Sequence, residues 1–128
     1  MQETVRLAPQ DAEFRFKLAL AWNELGEAAK ALAELEAAVK LDPRHARAGY
    51  NLGLARAAVG NQAGAIQALL MAETADPRDP RIPYDRATIH AQLGQMNEAR
   101  QAARRALELD PRYAEAAALL RQLPMTPQ

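Results

Sequence analysis

The sequence predicts an all-α solenoid of helix-turn-helix repeats, and three observations carry that prediction. Pro9, Pro43, Pro77 and Pro111 stand 34 residues apart, in the similar settings Leu7-Ala8-Pro9, Leu41-Asp42-Pro43, Ala75-Asp76-Pro77 and Leu109-Asp110-Pro111. Small residues fall in columns with the same spacing: Ala19, Gly53, Ala87; Ala31, Ala65, Ala99; and Ala38, Ala72, Ala106. Gly26, Gly60 and Gly94 form a fourth column midway between those clusters. A fixed period of this size marks stacked copies of one small unit. No run alternates with period two and β-branched residues are sparse, so strands are not expected.

Each element follows in order. Residues 1–10 read as the tail of a truncated preceding repeat, because Gln2 to Pro9 parallels Glu36 to Pro43. This start in mid-repeat points to a fragment of a longer protein. Residues 11–44, 45–78 and 79–111 form repeats 1, 2 and 3. Their first helices are expected at 11–25, 45–59 and 81–93, each stopped by glycine, the usual left-handed terminator. Their second helices are expected at 28–41, 62–75 and 96–109. The Asp-Pro pairs end them, since proline disfavours helix in the preceding residue. Residues 112–123 read as a capping helix whose stripe Ala116, Leu119, Leu120 and Leu123 seals the last repeat. Residues 124–128 read as a disordered tail.

Repeat 3 departs most from the pattern. Arg86 stands where Leu18 and Leu52 stand, Arg100 where Leu32 and Ile66 stand, and Ala103 where Leu35 and Leu69 stand. Pro80 and Pro83 crowd its first helix, which is therefore expected to start late and to belong to the least stable unit.

Composition narrows the function. The 128 residues carry 16 basic and 16 acidic side chains, so no basic footprint calls for nucleic acid. The absence of cysteine excludes disulfides, thiolate metal sites and cysteine nucleophiles. No apolar run reaches the ~20 residues of a membrane span. With no signal-like stretch at Met1 to Arg6, a cytoplasmic location is expected, or a periplasmic one if the chain derives from a longer processed protein. No phosphate-loop, dinucleotide or zinc-spacing motif occurs, so neither enzyme chemistry nor a cofactor is expected. His45 falls at a repeat junction and His90 in an inward column, where packing explains it better than catalysis. Arg100, Arg104 and Arg105 have Glu98 and Glu108 within helical reach and read as a solvated outer face.

The period, the Leu52-Gly53 pair, the Ala31 and Ala65 columns and the closing prolines resemble the tetratricopeptide repeat family over nearly the whole chain. The resemblance implies a right-handed solenoid of three units plus a C-terminal capping helix, with the first helices lining a concave face. It also implies a binding wall of Glu13, Phe16, Lys17 and Leu20, then Arg47, Tyr50, Asn51 and Leu54, then Arg81, Tyr84, Asp85 and Thr88. Phe16, Tyr50 and Tyr84 make an aromatic column, beside a basic pair Arg47 and Arg81. Aromatic and arginine side chains are common interface anchors. The implied function is a protein–protein interaction scaffold for a peptide or partner protein with apolar and acidic residues. Two alternatives stand beside it: self-assembly through an exposed N-terminal end, and a docking segment of a larger enzyme or secretion component. A chaperone-tail clamp of the family's kind is not expected. The five positions it needs hold Phe16, Leu20, Asn51, Arg81 and Asp85, of which two match and Asp85 carries the wrong charge.

Overall fold

A computed structural model describes residues 8–124 of the chain. Those residues form seven helices and no strand. The helices are α1 (Ala8–Glu24), α2 (Ala28–Leu41), α3 (Ala46–Ala58), α4 (Gln62–Ala75), α5 (Arg81–Gln92), α6 (Met96–Leu109) and α7 (Ala114–Gln122). Most of the expected tail of a preceding repeat, residues 1–7, lies outside the described residues, as do residues 125–128. Residues 8–10 open α1, which starts earlier than expected. Pro9 is compatible with that start, because amides in a first turn have no partner inside the helix to lose.

The turns behave as their residues dictate. Gly26, Gly60 and Gly94 have φ of 79°, 85° and 78°, a region that side chains with a Cβ rarely enter. The other turn of each unit has an ordering contact that the Asp-Pro spelling only half announces. The Asp42 carboxylate accepts from the Arg44 amide at 3.1 Å, and the Asp110 carboxylate accepts from the Arg112 amide at 3.1 Å. Asp76 repeats the contact with the Arg78 amide at 3.4 Å. Each aspartate thus turns the chain while the proline blocks further helix.

Helices pair as α1 with α2, α3 with α4 and α5 with α6, and the pairs stack in chain order. Every residue of the small columns is buried at the pair contacts. Gly53 shows why the column must stay small. A Cβ built there would lie 2.7 Å from Leu69 Cγ and 3.2 Å from the Ala65 carbonyl oxygen. Larger side chains fill the adjoining space, with Leu35, Leu52 and Leu69 fully buried. Leu119 and Leu120 of α7 pack against Ala87, Ala102 and Ala103 and close the last repeat.

Repeat 3 solves its departures locally. Arg86 leaves the apolar pattern but makes a two-pronged pair with Glu73 of α4, at 3.0 and 3.2 Å. As expected, α5 starts at Arg81, slightly later in the repeat than α3 at Ala46 and α7 at Ala114. Pro80 is its N-cap, and Pro83 is wholly buried in the first turn. Arg105 pairs with Glu108 at 3.2 Å on the outer surface.

The tight contact at Gly53 yields a stability prediction. Gly53→Leu forces Leu69 or the α3–α4 backbone aside and costs about 1–3 kcal/mol, read as a lower thermal midpoint by circular dichroism. An unchanged midpoint would contradict the close approach.

Candidate functional site

The first helices α1, α3 and α5 form one wall, and adjacent repeats meet along it through a repeated set of contacts. Arg47 donates to Glu13 at 2.8 Å, a pair 34 residues apart in sequence. The Arg47 guanidinium lies 4.9 Å from the centre of the Phe16 ring. Arg81 lies 4.8 Å from the centre of the Tyr50 ring in the same way. A second group from the junction covers Phe16 and Tyr84. His45 packs on Phe16 with ring centres 5.0 Å apart, and Tyr113 packs on Tyr84 at 5.1 Å. Asp79 holds the equivalent position in the middle junction and is bound by Arg81, the closest contact being 2.7 Å.

His45 does three jobs at once. Its Nδ1 accepts from the Ala48 amide at 3.1 Å and so caps α3. That role assigns the ring hydrogen to Nε2, which donates to Glu13 Oε1 at 2.6 Å. The ring face covers Phe16, which is only 4% exposed. The hydrogen bond from His45, helped by the charge of Arg47, holds the Glu13 carboxyl below its usual range. Asp79 is likewise lowered, chiefly by its hydrogen bonds from Arg81, whose own guanidinium is held more firmly protonated by the pair.

The Tyr50 hydroxyl donates to Asp85 Oδ2 at 2.5 Å. Burial pushes the Asp85 carboxyl up, against the pull of Tyr50 and Arg81. Burial and the neighbouring Asp85 push the Tyr50 hydroxyl up as well, and Tyr113 rises to about 12 from burial and the same carboxylate. The half-buried Thr88 hydroxyl is spent on its own helix, donating to the Asp85 carbonyl at 2.7 Å.

Two clefts open on this wall and share Asn51. The first, about 290 Å³, mixes charged and apolar side chains and lies between Phe16, Arg47, Tyr50, Asp79, Arg81 and Asn51. The second, about 300 Å³, is mainly apolar and lies between Asn23, Leu32, Leu54, Ala58, Val59 and Asn51. Of the twelve residues expected on the wall, Phe16, Arg47, Tyr50, Asn51 and Arg81 meet at the first cleft, and Leu54 with Asn51 lines the second. Glu13 joins through Arg47, and Asp85 through Tyr50. Tyr84 lines neither cleft, being packed on Tyr113. Lys17 and Leu20 are exposed on α1 and line neither cleft. Sequence reasoning placed His45 at a repeat junction but missed its contacts, and it missed Asp79 and Tyr113, because the column they form holds three different residue types. Among the described residues no cluster of acidic or histidine side chains forms a metal site, and no helix is long and apolar enough to cross a membrane.

A stack of two-helix units with an open, cleft-bearing wall defines a contact scaffold. Residues 1–43 and 24–80 match one tetratricopeptide repeat model, and residues 84–113 match a second. The chain belongs to the tetratricopeptide repeat family, whose fold is a non-catalytic scaffold for protein interaction. Solved structures agree. The first tetratricopeptide domain of Spaghetti (RPAP3), bound to the HSP90 peptide SRMEEVD, shares 21% identity at a TM-score of 0.81, over 88% of this chain and 90% of that one. The Yersinia enterocolitica type III secretion chaperone SycD, in complex with a peptide of the translocator YopD, shares 25% identity at 0.78, over 85% and 88%. MamA shares 23% identity at 0.81, over 91% of this chain and 63% of that one. No curated protein sequence gives a significant match.

The Tyr50–Asp85 contact makes a pH-dependent prediction. Tyr50→Phe leaves a half-buried carboxylate short of a donor and destabilises the fold by about 1–2 kcal/mol at pH 7. Losing that donor raises the Asp85 pKa further, so protonation relieves the penalty as pH falls through it. Thermal melts across acid pH should therefore show the gap between variant and parent closing. A gap that is constant with pH would contradict the contact.

Proposed function

We propose that this chain is an interaction scaffold holding a peptide or a segment of a partner protein along the wall of α1, α3 and α5, and that it performs no chemistry itself. The observation that carries this is the pair of neighbouring clefts on one wall, one bearing charged side chains and one mainly apolar, with Asn51 lining both. The peptides named in the structures of the Spaghetti domain and of SycD support the class of ligand. The wall contacts refine which residues are available. Phe16 is covered by His45 and Arg47, and Tyr50 is committed to Asp85, so both hold the repeats together. Leu20 and Leu54 are each 40% exposed, and Lys17 is exposed beside them. These side chains remain free for a ligand. Arg47 and Arg81 have spare N–H donors beyond those given to Glu13 and Asp79, which suits an acidic group on the partner.

Selection of displayed random 12-residue peptides against the intact chain tests this. Lys17→Glu with Leu54→Glu should weaken the selected peptides more than tenfold, while Gln67→Glu on the exposed side of α4 should leave them unchanged. Equal loss in both variants, or no selectable peptide, would refute the wall as the binding surface.

A further inference from the structure

One edge of the stack carries an apolar ridge that the fold does not use. Leu25, Val59 and Leu93 stand 34 residues apart, each just before the glycine of the turn inside its repeat. They are 72%, 63% and 43% exposed. The backbone alone closes these turns. The Glu27 amide donates to the Trp22 carbonyl, Asn61 to Arg56 and Gln95 to His90, at 2.8, 2.8 and 2.9 Å. The residue before each glycine could therefore be polar, yet all three are aliphatic. The ridge runs on from repeat to repeat. Ala28 and Val59 line one cleft between repeats 1 and 2, and the Gln62 carboxamide donates to that of Gln92 between repeats 2 and 3. Glu24, Glu27 and Glu98 flank the two outer turns, exposed and without an ion pair among the described residues. The cations that follow them on α2 and α6 are engaged. Lys30 lies 4.5 Å from the centre of the Trp22 ring, and Arg100 donates to Asn97 and to the Pro124 carbonyl.

An exposed aliphatic row with free carboxylates at both ends fits an apolar partner of opposite charge. An anionic membrane surface would instead be repelled by those carboxylates. The spacing favours a helix as the occupant. Packed helices lie ~8–10 Å apart, so the three aliphatic side chains recur at about that interval along the stack. One heptad of α-helix rises about 10.5 Å and returns to the same face. We propose that this edge docks an amphipathic helix of a partner protein, laid along the stack, with three aliphatic residues one heptad apart and basic residues at both ends. The aliphatic residues cover Leu25, Val59 and Leu93 in turn. The basic residues meet Glu24 and Glu27 at one end and Glu98 at the other. The ridge is separate from the wall of α1, α3 and α5, since Leu25 and Leu93 line neither of its clefts. One partner can thus occupy the wall while another lies along the edge.

The probe is a synthetic 21-residue helical peptide with three leucines seven apart, lysines at both ends, and alanine and glutamine elsewhere. It is titrated into the intact, isotope-labelled chain and followed by NMR. The expected shifts fall on the amides of residues 24–28, 58–62 and 92–96. Leu25→Ser with Leu93→Ser removes two exposed side chains and should weaken binding at least tenfold, with helicity unchanged by circular dichroism. A peptide with glutamate in place of lysine should bind about fivefold more weakly, and the difference should shrink as salt is raised. Glu24→Lys with Glu27→Lys should narrow that preference without touching the ridge. Vesicles of phosphatidylglycerol should not bind. The proposal is overturned if the shifts fall elsewhere, if the serine variant binds as the parent does, if the glutamate peptide matches the lysine one, or if the vesicles bind. The 12-residue peptides selected on the wall should bind the serine variant and the parent alike. Loss of the helical peptide alone then removes the edge, and loss of the dependence on Lys17 and Leu54 alone removes the wall.

Discussion

The structure depends on the contact between one repeat and the next along its inner wall. A two-helix unit cannot bury its apolar face alone, so each must be covered by its neighbour. Here the cover is built from side chains about one period apart. Arg47 and His45 close over Phe16, Arg81 closes over Tyr50, and Tyr113 closes over Tyr84. Magnitudes show which part of the contact matters. The Arg47–Glu13 pair is largely exposed, and such pairs contribute ~0–1 kcal/mol. Burying the Phe16 ring contributes about 1.5–3 kcal/mol. The aromatic is the staple, and the charges set its register.

That use of the aromatics decides what is left for function. Side chains that hold repeats together cannot also be given to a ligand without loosening the stack. The wall therefore divides its work. Glu13, Phe16 and Tyr50 join repeats, and in the proposed role Lys17, Leu20, Asn51 and Leu54, with the spare donors of Arg47 and Arg81, are left to a partner. Repeat 3 shows the same economy with different means. Arg86 enters a position held elsewhere by leucine and is stabilised by Glu73, both side chains mostly withdrawn from water. A half-buried pair of this kind costs desolvation, so it replaces apolar packing at little net gain.

Much of the fold was legible in the sequence because its constraints recur. Close helix approach demands a small residue at Ala19, Gly53 and Ala87 alike, and a left-handed stop demands glycine at Gly26, Gly60 and Gly94. Identical geometry repeated at 34 residues writes identical letters, and all three second helices fall at the expected residues. The site was less legible for the opposite reason. His45, Asp79 and Tyr113 occupy one position in three junctions and perform related tasks with unrelated chemistry, so no column betrays them. The same blindness made Phe16 resemble an exposed anchor, since its cover comes from a residue that no pattern marks. The start of α5 at Arg81 was legible from Pro80 and Pro83, whereas the full burial of Pro83 is a tertiary fact that no local pattern announces.

The most direct test of the repeat-to-repeat staple is a double-mutant cycle on Phe16→Leu and Arg47→Met, with unfolding free energies measured in urea. The cycle cancels what each residue does elsewhere, including the loss of the Glu13 pair. Contact between the guanidinium and the ring predicts a coupling of about 0.5–1 kcal/mol in favour of the parent pair. A coupling of zero would mean that the guanidinium does not close over the ring and that the two repeats are joined some other way.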